Sequence, residues 1–245
     1  MKKDPIKAFQ KEVRQNIERL GKNKKLQALG RRFAVESALN RYLYNFTWLG
    51  RPILQYPQDI YIMQELIWML KPDIVIETGV AHGGSLILSA SILELIGGKG
   101  RVIGIDIDIR SHNRKEIERH RMAKRITMVQ GSSIDPQTVK KVKALIRGKK
   151  RVLVFLDSNH THDHVLQELE LYSPFVNKGS YIVAFDGLVE YMPKGSNNRS
   201  WDKGNNPLTA AKTFLKNHKN FAVDKEIEDK ILITVAPSGF LKRIR

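Results

Sequence analysis

Beyond residue 72 the chain alternates short runs of aliphatic and β-branched residues with longer amphipathic stretches. DIVIETG, RVIGIDID, ITMVQGSS, RVLVFLDSNH and SYIVAFDG read as strands. Between them SLILSASILELI, RKEIERHRMAKR, DPQTVKKVKALIR and DHVLQELELYSPFV read as helices, the third with Asp135 as its cap and Pro136 in its first turn. The strand runs are continuously apolar, which marks strands buried on both faces of a parallel sheet. The pattern predicts a doubly wound α/β sheet. Ahead of it, residues 1–47 show helical spacing, and TWLGRPILQYPQD reads as a loop broken by Gly50, Pro52 and Pro57. IYIMQELIWMLK, just after Asp59, reads as a further helix. Past a polar loop from Leu188 to Pro207 comes the helix LTAAKTFLKNH. NFAVDKEI and KILITVAPSGFLKRI then read as two strands joined by a tight turn at Glu228–Lys230, which gives the sheet an antiparallel C-terminal strand.

Composition narrows the chemistry. The 245 residues include no cysteine, so a cysteine nucleophile, Cys-ligated zinc, iron–sulfur clusters and disulfides are all excluded. No apolar run reaches the length of a membrane span, and no apolar signal stretch follows MKKDPIKAFQKEV, so a cytoplasmic protein is expected. The formal charge of +17 favours polyanions or anionic membrane surfaces. Residues 1–32 carry eleven Lys/Arg against three acids, and Ile6, Phe9, Val13, Ile17 and Leu20 fall at helical spacing among them. Such a cationic amphipathic helix fits peripheral contact with the inner face of a membrane, or packing on the main domain or a partner subunit in a homo-oligomer. Nucleic acid is not the expected partner, because no zinc finger, RNP-like strand or basic heptad accompanies the charge.

Ligands of doubly wound sheets bind at the carboxyl ends of the strands. The first strand ends Glu77-Thr78-Gly79-Val80-Ala81-His82-Gly83-Gly84-Ser85. Gly79 and Gly83 allow close backbone approach to a ligand, and Ser85 is placed to cap the next helix. The spacing is neither a dinucleotide fingerprint nor a P-loop. Glu77, expected at the lip, suits a cationic ligand such as a sulfonium with its amino group. Asp106 ends the second strand 27 residues after Gly79, the reach to a ribose. Ser132, after the third strand, falls where an adenine edge would lie.

The fourth strand ends Asp157-Ser158-Asn159-His160-Thr161-His162-Asp163-His164, and the fifth ends Phe185-Asp186-Gly187. Asp157 and Asp186, on neighbouring strand tips, can share a divalent cation, magnesium or manganese by their hard oxygen ligands. Three histidines also allow zinc, unless His162 and His164 begin the next helix with Asp163 as its cap. Glu190 is a further candidate ligand or a loop salt-bridge partner. His160 can take a hydroxyl proton. The parts describe methyl transfer: a donor across the first three strand ends with Asp157 at its border, and an oxygen acceptor at the fourth and fifth.

PILQYPQD, IETGVAHGGSL, GRVIGIDIDIR, LDSNHTHDHV, KGNNP and ITVAPSGFLKR resemble the cephalosporin hydroxylase family, which includes rhamnosyl O-methyltransferases. The resemblance spans residues 48–245 and implies a Rossmann-like, class I S-adenosylmethionine-dependent methyltransferase domain, with 1–47 as a basic helical extension. It implies O-methylation of a sugar hydroxyl in a polysaccharide, glycolipid or glycosylated small molecule, and the chain's positive charge fits an anionic or lipid-linked acceptor. It matches Glu77, Gly79 and Gly83 to the donor loop, Asp106 to the ribose acid, Asp157 to the first metal carboxylate and His160 to the catalytic histidine. A Glu-Asp pair supplies the second metal element in related sugar methyltransferases. Here it reads Phe185-Asp186, so only Asp186 carries over. A non-catalytic S-adenosylmethionine-binding module and an oxidative hydroxylase are the alternatives, although no clear facial triad supports the latter.

Overall fold

The computed structural model describes residues 4–196 and 198–245. Two helices lead, α1 (Pro5–Lys22) and α2 (Lys24–Leu39), joined at Asn23. That one side chain caps α2 through Leu26 N, while its own backbone N–H closes α1. The expected loop that follows contains a small hairpin, β1 (Phe46–Trp48) with β2 (Arg51–Ile53). Its turn residues Leu49 and Gly50 both have positive φ, the geometry of a two-residue hairpin turn. Helix α3 (Pro57–Leu70) comes next.

The alternating elements follow in the predicted order: β3 (Ile74–Thr78), α4 (Gly84–Ile96), β4 (Arg101–Asp106), α5 (Ser111–Arg119), β5 (Ile126–Gln130), α6 (Pro136–Leu145), β6 (Val152–Leu156), α7 (His162–Tyr172), β7 (Tyr181–Ala184) and α8 (Pro207–Asn217). One difference lies at His120, where the charged helix breaks. Its Nδ1 accepts from Met122 N, and a 3-10 turn replaces the last part of the run.

The C-terminal hairpin is not formed as expected. β8 (Phe221–Val223) is followed by a helix, α9 (Lys225–Ile231), which spans the expected turn. Lys230 of α9 pairs with Glu65 of α3, and Glu228 accepts from Ser238 N at 2.6 Å. The next apolar residues are drawn away from the sheet, because Asp59 of α3 accepts from Thr234 Oγ1 at 2.5 Å and Val235 N at 2.9 Å. Of the second expected strand only β9 (Phe240–Arg243) joins the sheet, antiparallel to both β7 and β8.

The sheet order is β5-β4-β3-β6-β7-β9-β8, with β3 through β7 parallel. Alternate residues serve opposite faces. Val75, Leu153 and Phe155 pack toward α3 and α4, while Ile76, Val154 and Leu156 pack toward α7 and α8. The chain winds outward from β3 to β4 and β5, then returns to place β6 on the other side of β3. The β3–β6 seam is the switch point where such sheets bind ligands. The N-terminal helices dock on the C-terminal segment: Gly21 lies against Asp229, and Gly30 lies so close to Leu232 that a Cβ would sit 2.6 Å from its carbonyl.

Asp59 is fully buried in the first turn of α3, and burial pushes its carboxyl up to about 7 against the pull of its two hydrogen bonds. Its unfolded value is roughly 3.9. The folded state therefore binds this proton more tightly. The stabilisation is complete below the unfolded value and is lost as pH rises to 7, a change on the order of 4 kcal/mol. Asp59→Asn removes the ionisation, so the stability advantage of wild type over this variant should shrink between pH 5 and pH 8. Urea melts at the two pH values test this; a constant difference would mean that Asp59 does not ionise over that range.

Candidate functional site

The turn between β3 and α4 is built on two glycines with positive φ, Gly79 and Gly83. Gly79 is forced by its neighbour: a Cβ would lie 2.0 Å from the carbonyl oxygen of Asp157 on β6. Gly83, not Ser85, is the N-cap of α4. Ser85 instead donates its hydroxyl to Glu77 Oε1. Glu77 is buried in β3 rather than standing at the lip, and burial pushes it up to about 8 against the pull of Ser85. Its Oε2 finds no hydrogen-bond partner among the described residues.

Asp106 folds back onto this turn. Its Oδ2 accepts from Val80 N at 2.8 Å and Ala81 N at 3.4 Å, and Oδ1 accepts from Asp108 N at 3.0 Å. Arg51 of β2 donates to His82 O at 2.7 Å, and Asn113 of α5 donates to Ala81 O at 2.9 Å. The turn is thus held through its amides by Asp106 and through its carbonyls by Arg51 and Asn113. Neither of these last two stands out in the sequence. Ser132 contributes its carbonyl to Asp135 N in the turn after β5. Its neighbour Ser133 points inward, 3.0 Å from His164 Nε2.

At the ends of β6 and β7, Asp157, His160 and Asp186 each bring one ligand-capable atom within 4.8 Å of the others. His160 Nε2 lies 3.0 Å from Asp186 Oδ2, and Gln55 Nε2 donates to Asp157 Oδ2 at 3.0 Å. Asp186 sits in the left-handed region at φ 56°, which an Asp tolerates better than most residues. Its side chain keeps 37% exposure against 13% for His160, so the cluster opens toward solvent on the Asp186 side. Phe185 is turned the other way, into the core against Phe155.

Burial alone would lower His160, but the charge and hydrogen bond of Asp186, with Asp157 and Glu168 adding, push it up to about 9. The two carboxylates thus favour the protonated form of His160. Burial opposes ionisation of Asp186, yet His160 holds it below the ordinary carboxylate range. Burial and the charge of Asp186 push Asp157 well up.

The other candidates separate from this centre. His162 opens α7 after Thr161, the N-cap, with Nδ1 2.8 Å from Thr209 Oγ1; Asp163 lies in the first turn and is not the cap. His164 joins a buried network with Ser133, Ser158 and Glu168. Three histidines therefore do not converge on one ion. Glu190 is not in the cluster either: its Oε2 accepts from Gly204 N at 2.8 Å and Asn206 Nδ2 at 2.6 Å. It braces the loop that carries Trp201, whose ring meets His160 edge-on with centroids 4.8 Å apart.

Comparison with known proteins bears on this geometry. The family described as rhamnosyl O-methyltransferase/CmcI matches residues 40–244. The chain belongs to this family. It is an S-adenosylmethionine-dependent O-methyltransferase. A rhamnosyl O-methyltransferase of Mycobacterium tuberculosis is 31% identical over 201 residues, 80% of this chain and 78% of that one. The Mycobacterium leprae protein of the same name is 28% identical, over 80% and 82%. Among solved structures, the Mg–SAM form of CmcI aligns at a TM-score of 0.59 with 19% identity, covering 82% of this chain and 78% of that one. A Bacillus cereus O-methyltransferase in complex with SAH aligns at 0.52 with 15% identity, covering 85% and 81%. These likenesses show the Rossmann-like methyltransferase fold.

If Asp106 both pins the turn and receives the donor, Asp106→Ala should weaken S-adenosylhomocysteine binding by about 1.5–3 kcal/mol, the range for charge-assisted hydrogen bonds. Calorimetry on the folded variant reads this directly; unchanged affinity would remove Asp106 from the donor site.

Proposed function

We propose that this enzyme methylates a hydroxyl of a rhamnose-type sugar in a glycolipid or polysaccharide, assisted by a divalent cation. The observation that carries the reading is the Asp157–His160–Asp186 cluster, directly beside the glycine turn in a relative of rhamnosyl O-methyltransferases. Two carboxylates and open coordination positions suit magnesium or manganese. Asp157 and Asp186 would hold the ion.

The donor supplies an electrophilic methyl group, and a cation held by Asp157 and Asp186 would supply positive charge for a developing alkoxide and offset the carboxylate charge that favours the protonated form of His160. The glycine turn, held by Asp106, Arg51 and Asn113, fixes one reactant without backbone adjustment. With that charge offset, His160 would lose its own proton to solvent before the acceptor binds, and then take the hydroxyl proton on Nε2 as the O–C bond forms and the S–C bond breaks to leave the thioether product. Trp201 packs edge-on against the His160 ring and restrains its orientation.

A lipid-linked acceptor fits the N-terminal helix. The apolar stripe of α1 is covered at Ile17 but stands bare at Ile6 and Phe9, 69% and 64% exposed, with Lys7, Lys11 and Arg14 on the same turns. No helix among the described residues is long and apolar enough to cross a membrane. Contact would be peripheral, through apolar insertion and attraction to anionic headgroups.

The direct test is transfer from S-adenosylmethionine to rhamnosyl lipid or methyl rhamnoside, read by mass. Transfer that needs magnesium and stops in chelator is expected; failure on every sugar, or full activity in chelator, would overturn the sugar or the metal part respectively. His160→Ala should slow transfer ~10²–10⁴-fold with magnesium affinity kept. Lost magnesium affinity would make His160 a ligand instead. The double change Ile6→Glu, Phe9→Glu should release the protein from phosphatidylglycerol vesicles without altering S-adenosylhomocysteine affinity. Undiminished vesicle binding would exclude α1 as the contact.

A further inference from the structure

Gln55 lies between β2 and α3, only 3% exposed. The segment Pro52–Gln55 forms one wall of a narrow cleft whose other wall is the glycine turn, with Asp157 beside it. One end of the Gln55 amide is committed, Nε2 donating to Asp157 Oδ2. The other end is not: Oε1 is shut from solvent and finds no partner among the described residues. An unpaired buried acceptor costs about 1–3 kcal/mol, and such groups in folded proteins call for an explanation.

Oε1 needs an N–H donor, and the methyl donor brings two candidates, its adenine amino group and its α-ammonium. Asp106 at the end of β4 marks the ribose side of the crevice, and β4 lies across β3 from β6. A donor with its ribose there and its adenine toward β5 extends its amino-acid arm toward β6, where Gln55 meets Asp157. The acid that the sequence singles out for the ammonium is displaced from it. Glu77 does not line the cleft, and Ser85 takes its Oε1. A neutral acceptor also suits this place, because Asp157 and Asp186 already crowd two carboxylates together.

We propose that Gln55 Oε1 receives the α-ammonium of S-adenosylmethionine, and that the same amide, through Nε2, fixes Asp157. Gln55 is then a donor-binding residue and a positioning residue at once. The cleft is tight, since a Cβ on Gly84 would lie 2.2 Å from Pro52 O. The arm reaches Oε1 by parting the Pro52–Gln55 segment from the turn. The inference rests on the donor and not on the sugar or metal reading.

The test is a cycle with two ligands, S-adenosylhomocysteine and its deaminated counterpart, measured by calorimetry without acceptor or metal. Wild type should prefer the amine at least tenfold. In Gln55→Met, which keeps length but loses the acceptor, the preference should fall to about twofold or less. In Gln55→Asn, whose amide is one carbon shorter and cannot span both partners, it should fall likewise, which covers the case in which the methionine variant does not fold. Glu77→Gln should leave it intact. A tenfold preference retained in Gln55→Met or in Gln55→Asn, its loss in Glu77→Gln, or no preference in wild type would each overturn the assignment.

Discussion

Gly79 and Asp157 meet across the β3–β6 seam with no room for a side chain between them. Asp157 N donates to Thr78 O at 2.9 Å, which extends the ladder one residue past the end of β6. This contact sets the spacing of everything above the sheet. It brings the glycine turn against Asp157, so the turn and the Asp157–His160–Asp186 cluster are held by one backbone register rather than by separate loops. Their separation is then a property of strand pairing, the most rigid element available.

The rest of the molecule holds that seam in place from outside. β2 reaches over the turn, and Arg51 fixes it from above. Asp59 draws Thr234 and Val235 onto α3, and Lys230 of α9 pairs with Glu65 of the same helix. The two N-terminal helices pack on that C-terminal segment. Both termini thus bear on the arm that carries Gln55, although neither approaches the reacting atoms.

Much of this was legible from the chain alone. Buried parallel strands announce themselves as continuous apolar runs, and the side chains beyond their carboxyl ends follow from position; Asp106 is expected beside the glycine turn and Asp157, His160 and Asp186 together that way, and the structure places them so. What escaped was set by partners distant in sequence. Gln55 meets Asp157 across 102 positions, and Arg51 meets Asn113 across 62. No local pattern encodes such pairs. Glu77 sits at the right end of the right strand, but periodicity places a side chain on a face without saying whether another residue will cover it; Ser85 does. The misread C-terminal hairpin has the same origin. Its apolar run satisfies strand propensity, and only the buried carboxylate of Asp59 removes Thr234 and Val235 from the sheet. Glu190 reads as a candidate ligand because it follows Asp186 by four residues, yet Gly204 N and Asn206 Nδ2 from the following loop claim it first.

Trp201 stands edge-on against His160, while the other two tryptophans sit elsewhere, Trp48 bonded to Ser91 and Trp68 on the outer face of α3. An imidazolium quenches a neighbouring indole far more strongly than a neutral imidazole does. The centre therefore carries its own optical gauge: with Trp48 and Trp68 replaced by phenylalanine, the remaining emission follows the protonation of one histidine.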